Sequence, residues 1–533
     1  MSEERAAGRI AAALADGRTV LGIELGSTRI KACLVDEAGA PVAAGSHDWE
    51  NRLVEGVWTY SLEAVWSGLQ ACVAALLDDA ERQHGVRPTT FAALGVSAMM
   101  HGYLAFDAAD ELLVPFRTWR NTSTGRAAGE LTERFGHNIP LRWSVAHLYQ
   151  AMLDAEPHVP QVAFLTTLAG YVHWQLTGEK VLGVGDASGM FPIDTATGSY
   201  DAAMLATFEG LASPARPGRP LVDLLPAVLP AGRVAGRLTP SGAALLDRSG
   251  TIAPGIPLCP PEGDAGTGMV ATNAVAPRTA NVSVGTSIFA MVVLEKPLGS
   301  VHDELDLVTT PAGDLVAMVH CNNGASELGE WAGVFGQLAA ALGHDCGRDA
   351  VFAALLSAAA AGDADGGGLL AYNYLAGEPI TGLTQGRPLF VRTADSRLTL
   401  ENFARAQVYG AFGTLSLGMR VLAAEGVELD TVVAHGGLFR TAGIAQRLLA
   451  AAVAAPVAVG GAAAEGGAWG IAVLATYLSA PEGQDLGAYL AGVFADARVD
   501  VVAPDEQDAR GFAAYLERYT AGLAIEKVAT DVL

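Results

Sequence analysis

The sequence contains two matching stretches, Leu21–Asp36 (LGIELGSTRIKACLVD) and Ala280–Glu295 (ANVSVGTSIFAMVVLE). In each, an alternating apolar strand leads into a glycine and two hydroxyl residues, and a second alternating strand follows. Gly26-Ser27-Thr28 in the first stretch corresponds to Gly285-Thr286-Ser287 in the second. A tight turn of this composition directs backbone N–H groups and hydroxyls toward one point, as a phosphate-binding loop does. Two such loops predict two related domains that bind one polyphosphate from opposite sides.

The composition indicates a globular protein and argues against nucleic acid and membrane partners. The chain has 533 residues, of which 51% are hydrophobic and 17% charged, and this length allows two to four domains. Its 33 Lys and Arg residues against 57 Asp and Glu residues give a net charge of −24. A chain this acidic repels nucleic acid and anionic membrane surfaces, so we expect neither as a partner. An anionic nucleotide therefore has to be held by local donors and a metal ion.

The cysteines and the apolar segments favour a cytoplasmic protein. The five cysteines are scattered without a C-x-x-C pair, which is typical of a reducing compartment. The first 18 residues have acidic side chains and no apolar core of a signal peptide. The most apolar window, Leu448–Leu478, is interrupted by Pro456 and Glu465, so we interpret it as a buried helix–strand–helix and not as a membrane span.

The rest of each half repeats one order of strands and helices. The first half has a strand at Pro41–Asp48, a helix that begins after Ser61 as N-cap, and a short buried strand at Phe91–Val96. The second half has a strand at Leu315–His320, a long helix at Leu400–Glu425 and a strand at Thr431–Ala434. This alternation predicts a duplicated α/β fold.

Several motifs in order resemble those of one family, the FGGY carbohydrate kinases, and most closely its xylulokinase-like branch. They are Ile23–Lys31, Met-His-Gly at 100–102, Trp-x-Asn at 119–121, 171–201, Gly-Asp at 263–264, VSVGTS at 282–287, LLAYNYLAGEPI at 369–380, 435–457 and 465–475. The resemblance implies two duplicated actin-like ATPase (ribonuclease H-like) domains with a central cleft. It divides the chain into an N-terminal extension (1–18), a sugar- and phosphate-binding domain (19–277), a nucleotide-binding domain (278–478) and a C-terminal helical tail (479–533).

Asp264 is the predicted catalytic base. It lies in the turn Pro261–Gly268, at the start of an expected helix and just before the second loop. Phosphoryl transfer to an alcohol needs a carboxylate that accepts the hydroxyl proton. An aspartate after a glycine is more often a helix N-cap, but the resemblance places Asp264 at the family's base. The next residue is Ala265, where xylulose-type members usually carry Asn.

The resemblance implies ATP and Mg²⁺ as cofactors. The expected nucleotide-binding residues are those of the two glycine–hydroxyl turns and the glycines that end a strand, namely Gly26, Ser27, Thr28, Gly285, Thr286, Ser287, Gly436 and Gly437. Glu24 stands where the family usually has Asp, and we expect it to hold Mg²⁺ through water. The alternative for Glu24 is a solvent-facing residue in an alternating strand.

The expected sugar-binding residues combine apolar, aromatic and polar side chains, as suits a small polyhydroxylated ligand. They are Met100, His101, Trp119, Arg120, Asn121 and Asp186. Asn121 replaces the Asp of the family's Trp-x-Asp. For His101 the alternative is a core histidine, and for Asp186 it is an Asx turn.

The sequence therefore predicts a carbohydrate kinase that transfers the γ-phosphoryl group of ATP to a primary hydroxyl of a small ketose, most simply a pentulose such as D-xylulose. Ribulose, another polyol or a sugar acid are alternative substrates. An actin- or chaperone-like ATPase, or a sugar-binding regulator without kinase activity, are alternative functions. The sequence leaves the oligomeric state open, with a homodimer as one alternative.

Overall fold

The computed structural model describes residues 2–441, 443–460 and 466–533. Ala442 and Glu465, which belong to two of the quoted motifs, lie outside these ranges. The described residues form two compact units. The first lies within Met1–Val275, Leu307–Val316 and Ala462–Asp496, and the second within Ala276–Asp306, Ala317–Gly461 and Ala497–Leu533. The division at Val275/Ala276 lies beside the expected boundary at 277/278, but two later segments belong to the first unit.

The helices, in chain order, are α1 Ser2–Ala15, α2 Leu62–His84, α3 Gly125–Phe135, α4 Ser144–Leu153, α5 Leu168–Thr177, α6 Val184–Ala187, α7 Ala202–Glu209, α8 Pro240–Leu246, α9 Asp264–Ala271, α10 Ser326–Ala341, α11 Arg348–Ala361, α12 Leu400–Ala424, α13 Ile444–Val453, α14 Gly467–Thr476, α15 Leu486–Val493 and α16 Glu506–Val532.

The strands are β1 Val20–Leu25, β2 Arg29–Val35, β3 Pro41–Asp48, β4 Arg52–Val54, β5 Val57–Thr59, β6 Ala93–Ala98, β7 Leu104–Phe106, β8 Phe164–Thr166, β9 Val181–Gly183, β10 Ile193–Asp194, β11 Ser199–Tyr200, β12 Ala227–Leu229, β13 Glu262–Gly263, β14 Thr279–Val284, β15 Ile288–Val293, β16 Leu305–Thr309, β17 Leu315–Cys321, β18 Leu369–Tyr372, β19 Leu389–Arg392, β20 Thr431–Gly436, β21 Val457–Val459 and β22 Asp500–Val502.

Five neighbouring strands of the second sheet, β21-β20-β14-β15-β17, repeat the strand order of the first sheet, which confirms the predicted duplication. The first sheet runs β13-β6-β1-β2-β3 and the second β16-β17-β15-β14-β20-β21-β22. In each, the quoted hairpin is antiparallel, and its first strand pairs in parallel with the next strand of the core, β6 for β1 and β20 for β14. The mixed sheet with flanking helices places the loop after β1, and the loop after β14, at the carboxyl end of a central strand.

Local sequence signals explain the main helix boundaries. Ser61 caps α2 by accepting the N–H of Ala64, and Gly85 ends that helix in the left-handed conformation. Thr399 caps α12 by accepting the N–H of Asn402. The apolar window that was interpreted as helix–strand–helix forms α13, β21 and α14.

Helix α14 packs directly on the first sheet. A Cβ atom at Gly22 of β1 would lie 2.1 Å from the carbonyl oxygen of Ala468, and a Cβ at Gly95 of β6 would lie 2.8 Å from that of Ile471. Since neither glycine has a side chain, the helix backbone approaches the strands closely. Residues 467–476 are thereby part of the first unit, although they lie far along the chain.

Strand β22 and helix α16, which lie near the C-terminus, are part of the second unit. Strand β22 pairs with β21, and α16 buries Phe512, Tyr515 and Tyr519. Asp508 of α16 forms ion pairs with Arg405 and with Arg447. Residues 506–532 therefore contribute aromatic and ionic contacts to the unit that carries the second loop.

No helix among the residues that the structure describes has the length and apolar character needed to cross a membrane.

Replacing Gly22 by alanine is expected to destabilise the first unit by about 3 kcal/mol, because the new methyl group overlaps the backbone of α14. Gly129 in α3 is the matched control, since no atom of the part of the chain that the structure describes lies within 4 Å of its Cβ position. Gly129→Ala should leave stability unchanged or raise it by up to about 1 kcal/mol. Chemical unfolding of both variants measures this, and equal stability of the Gly22 variant and the parent would contradict the packing.

Candidate active site

Aromatic side chains hold the first hairpin turn through its carbonyl oxygens. Trp49 donates its indole N–H to the carbonyl of Gly26 at 2.7 Å, and the Tyr60 hydroxyl donates to that of Ser27 at 2.5 Å. The two rings stack at 4.1 Å. A third aromatic residue, Trp119, donates to the Ser27 hydroxyl at 3.2 Å. The hydrogen bonds to the carbonyl oxygens of Gly26 and Ser27 thus fix the turn, while Thr28 lies at the surface.

The predicted base, Asp264, is the first residue of α9 and follows the short strand β13. Gly263, and not Asp264, occupies the N-cap position. The Asp264 carboxylate accepts the backbone N–H of Met100 at 3.1 Å, just after strand β6. Burial raises the pKa of Asp264 above its ordinary value, and the hydrogen bond from Met100 opposes that rise. A half-buried carboxylate with a raised pKa is suited to accept a proton.

Two fully buried carboxyl groups lie behind Asp264. Asp186 accepts the hydroxyl of Thr167 at 2.5 Å, and its other oxygen would be 3.2 Å from a Cβ at Gly263. Glu262 accepts the N–H groups of Gly185 at 3.3 Å and of Asp186 at 2.9 Å. Burial, with a contribution from Asp264, raises the pKa of Asp186 to about 7. Burial, with a contribution from Asp186, raises that of Glu262 to about 8.

Met100 and His101 lie beside these carboxyl groups. Met100 is buried and gives its backbone N–H to Asp264. His101 adopts a left-handed backbone with φ of 70°, its ring lies 3.4 Å from the carbonyl of Gly189, and it stacks on Trp143 at 6.4 Å. The first unit therefore brings three expected sugar-side residues, Met100, His101 and Asp186, close to the predicted base.

Trp119, Arg120 and Asn121 lie elsewhere in the first unit, against the first turn and the β4–β5 hairpin. Arg120 stacks over the ring of Trp58 at 4.0 Å. Asn121 accepts the N–H of Trp58 at 2.9 Å and donates to the carbonyls of Trp58 and Thr118 at 2.8 and 2.9 Å. The amide of Asn121 therefore holds the backbone of β5, and its contact with a sugar stays a prediction.

Glu24 is half-buried in β1, opposite Lys31 of β2 and Ser97 of β6. A Cβ at Gly467 would lie 2.3 Å from its carboxylate, so the start of α14 covers it. Among the described residues, no group of three or more His, Cys, Asp or Glu is arranged to hold a metal ion directly. A single carboxylate fits Mg²⁺, which retains several water ligands and binds substrate phosphates.

The second loop is held by backbone groups. Gly285 donates its N–H to the carbonyl of Ser287 at 2.9 Å, which closes the turn. The N–H groups of Gly324 and Ala325 donate to the carbonyls of Thr286 and Gly285 at 2.7 and 2.8 Å. This loop, like the first, is anchored by its carbonyl oxygens.

Gly436 and Gly437 lie at the end of β20, as the sequence predicts. Gly436 has a φ of 120°, and a Cβ there would lie 2.0 Å from the carbonyl of Val284 in β14. Among the described residues, no atom lies within 4 Å of a Cβ at Gly437. A short 3₁₀ turn from Gly437 to Arg440 separates the strand from α13.

Sequence reasoning missed Glu262, Trp49 and Tyr60. Glu262 lies two residues before the base within the same quoted turn, so its proximity was visible but its burial was not. Trp49 and Tyr60 carry no motif, and only their hydrogen bonds to the first turn reveal their role.

Comparison with known proteins identifies the family. Residues 19–270 match the FGGY family of carbohydrate kinases, N-terminal domain, and residues 280–479 match its C-terminal domain. The chain belongs to the FGGY family of carbohydrate kinases. Xylulose kinase from Escherichia coli is 26% identical over 297 residues, which are 53% of this chain. The chain spans about half the length of that relative, 56%.

Solved structures show the same fold. A xyloylose kinase from Brucella ovis has a TM-score of 0.76 and 20% identity and covers 95% of this chain and 99% of its own. Gluconate kinase from Lactobacillus acidophilus has a TM-score of 0.77 and 19% identity and covers 95% of this chain and 98% of its own. The predicted duplicated kinase fold is thus confirmed, while proteins named for different substrates share it.

Glu262→Gln should become more stable relative to the parent as the pH rises from 5 to 8, and the difference should level off above pH 8. Unfolded glutamate ionises near pH 4, whereas folded Glu262 keeps its proton to about pH 8. The folded parent therefore binds more protons in this window and loses stability as the pH rises. Denaturant unfolding at several pH values measures the difference.

Asp247→Asn is the matched control for this titration. Burial acts to raise the pKa of Asp247, but hydrogen bonds from Ser249 and Thr251 lower it to about 2. Asp247 is therefore ionised in both folded and unfolded states between pH 5 and 8. Its replacement should destabilise the protein by a constant amount in this window, and a flat response of the Glu262 variant as well would contradict the raised pKa.

Proposed function

We propose that the protein is an ATP-dependent sugar kinase that transfers the γ-phosphoryl group to a primary hydroxyl of a small ketose, most simply a pentulose such as D-xylulose. Membership of the FGGY family supports an alcohol as the phosphoryl acceptor. The observation that carries the proposal is Asp264, a half-buried carboxylate fixed by the Met100 N–H with its pKa raised by burial. The xylulose kinase relative supports the pentulose.

In the proposed reaction, the Asp264 carboxylate accepts the proton of the sugar hydroxyl while that oxygen forms its bond to the γ-phosphorus, and ADP departs. The hydrogen bond from Met100 keeps one carboxylate oxygen in place, and we propose that the other oxygen accepts the proton. A base with a raised pKa takes up the proton more readily at neutral pH. Met100 and His101 lie next to this carboxylate and are the proposed sugar contacts.

The two glycine–hydroxyl turns are the proposed phosphate donors. Both are anchored by their carbonyl oxygens, to Trp49 and Tyr60 in the first unit and to the Gly324 and Ala325 N–H groups in the second. Preorganised N–H and O–H donors stabilise the charge of a transferring phosphoryl group, because they need no rearrangement during the reaction.

Glu24 is the proposed residue for Mg²⁺, through water. When bound, Mg²⁺ neutralises charge on the phosphate oxygens of the nucleotide. Glu24 is suited to this role because its carboxylate is half-buried beneath Gly467 and its position in β1 is fixed by pairing on both sides.

We also propose a cytoplasmic location, supported by five free thiols, of which Cys33, Cys72, Cys259 and Cys321 are buried and Cys346 is exposed. The proposed partners are a sugar and ATP.

An ATPase without a sugar substrate is the alternative that shares both phosphate loops. It has no use for a carboxylate that accepts a sugar proton, so Asp264 and the adjacent Met100 and His101 favour the kinase. A sugar-binding regulator would keep the residues that bind the sugar but would not transfer a phosphoryl group.

Asp264→Asn is expected to lower sugar phosphorylation by about 10²–10⁴-fold, because the amide cannot accept the proton. The amide oxygen still accepts the Met100 N–H, so the fold and nucleotide binding should persist. Coupled ADP-release and isothermal titration measure the two properties. Asp247→Asn serves as a control for removing a buried carboxylate in the same unit, and near-parent turnover of the Asp264 variant would disprove the assigned base.

ADP release should depend on one class of sugar. In a panel of ketoses, polyols and sugar acids, we expect D-xylulose or another pentulose to stimulate release above the rate without sugar. Turnover independent of every compound would favour the ATPase, and nucleotide binding without any turnover would favour the regulator.

A further inference from the structure

The second phosphate loop rests on a neighbouring segment, Asn322–Ala325, that follows strand β17. The N–H of Gly324 donates to Thr286 at 2.7 Å and that of Ala325 to Gly285 at 2.8 Å. A Cβ at Gly324 would lie 2.4 Å from the Gly285 carbonyl oxygen. The segment therefore lies against the loop backbone, and any shift of the segment moves the loop.

Asn323 fixes this segment from the other side. Its side-chain oxygen accepts the N–H groups of Leu375 and Ala376, both at 2.9 Å. Its amide group donates to the carbonyl of Ala376 and to the carboxylate of Glu378, both at 3.1 Å. One side chain thus joins the segment below the phosphate loop to the stretch that follows β18.

Glu378 and Asn373 complete the network. The Glu378 carboxylate also accepts the backbone N–H of Asn323 at 3.3 Å. Asn373 donates to the carbonyls of Asn323 and Gly324 at 3.1 and 2.7 Å. All three side chains are at least 95% buried. Burying a polar side chain is costly unless it forms hydrogen bonds. Here Glu378 and Asn373 form hydrogen bonds with Asn323 and Gly324, which lie against the loop.

We propose that Asn323 and Glu378 are positioning residues for the second phosphate loop, which hold its carbonyl oxygens in place so that Thr286 and Ser287 present their donors to a nucleoside triphosphate. The inference rests on the proposed nucleotide-binding role of this loop. Neither residue needs to touch the nucleotide, since each acts through Gly324 and Ala325.

The test is MgADP and MgATP binding by isothermal titration to Asn323→Asp in the full-length protein. The new carboxylate cannot donate to Glu378 and is placed beside it, so the segment should shift and the dissociation constants should rise at least tenfold. Nucleotide affinity that stays within twofold of the parent would overturn the proposal.

Asn402→Asp is the matched control in the same unit. Asn402 is also a buried asparagine whose amide donates to a carboxylate, that of Asp363 at 2.7 Å, and to a backbone carbonyl, that of Arg397 at 3.0 Å. The control should lose thermal stability comparably and keep nucleotide affinity within twofold. An equal loss of affinity in both variants would show a general structural effect and overturn the proposal.

Two further measurements separate positioning from misfolding. The double variant Asn323→Asp/Glu378→Gln exchanges the amide and the carboxylate, so that the amide at position 378 can donate to the carboxylate at position 323. It should recover most of the nucleotide affinity that Asn323→Asp loses. Glu378→Gln alone keeps a hydrogen-bond acceptor and should weaken binding only about threefold to tenfold. No recovery in the reversed pair, with the protein folded by circular dichroism, would count against the proposal.

The affinity of Asn323→Asp should also depend on pH. Near pH 5.5 one of the two carboxyl groups is protonated and can donate to the other, so the difference from the parent should narrow, whereas at pH 8 it should widen. The other titratable groups that face Glu378 are Cys321 and Tyr374, whose pKa values are raised by burial, so both stay neutral in this range. A pH-independent difference would contradict the assigned interaction.

These outcomes are separable from the proposed sugar kinase activity. A parent protein that binds MgADP but phosphorylates no sugar would disprove the kinase and leave the positioning inference intact. If the parent phosphorylates a ketose and Asn323→Asp binds nucleotide normally, the sugar kinase proposal stands and the positioning inference is disproved.

Discussion

The close contact of helix α14 with the first sheet is the constraint on which the first unit depends. Because Gly22 and Gly95 have no side chains, the backbone of residues 467–476 lies directly on β1 and β6. The same helix covers Glu24 at its first residue and so bounds the surroundings of that carboxylate. A segment from late in the chain therefore completes the unit that carries Asp264, and a methyl group at Gly22 would separate them.

The two phosphate loops use one principle with two different supports. In each loop, carbonyl oxygens of the turn accept hydrogen bonds from neighbouring residues, and these bonds fix the orientation of the turn. The first unit achieves this with the side chains of Trp49 and Tyr60. The second achieves it with the backbone of Gly324 and Ala325, which Asn323 and Glu378 hold in turn. Duplicated turns have thus acquired unrelated anchors.

Two further buried carboxyl groups, those of Asp186 and Glu262, lie near the proposed base Asp264. Asp264 is half-buried and tied to Met100, whereas Asp186 and Glu262 are fully buried behind it. Burial raises the pKa values of all three acidic groups, that of Asp186 to about 7 and that of Glu262 to about 8. The cost of their burial is offset by hydrogen bonds from Thr167, Gly185 and the Asp186 backbone.

The sequence by itself determined the features that depend on local pattern. The bounds of β3, Pro41–Asp48, and the start of α12 at Leu400 follow from alternation and capping, and the paired turns revealed the duplication. Only the tertiary structure decided which distant residues meet. It placed Glu262 behind the base and gave the amide of Asn121 to the backbone of β5. It also placed α14 against Gly22. The sequence does not reveal this contact, because it depends on a glycine that has no side chain and so adds nothing to the hydrophobic pattern.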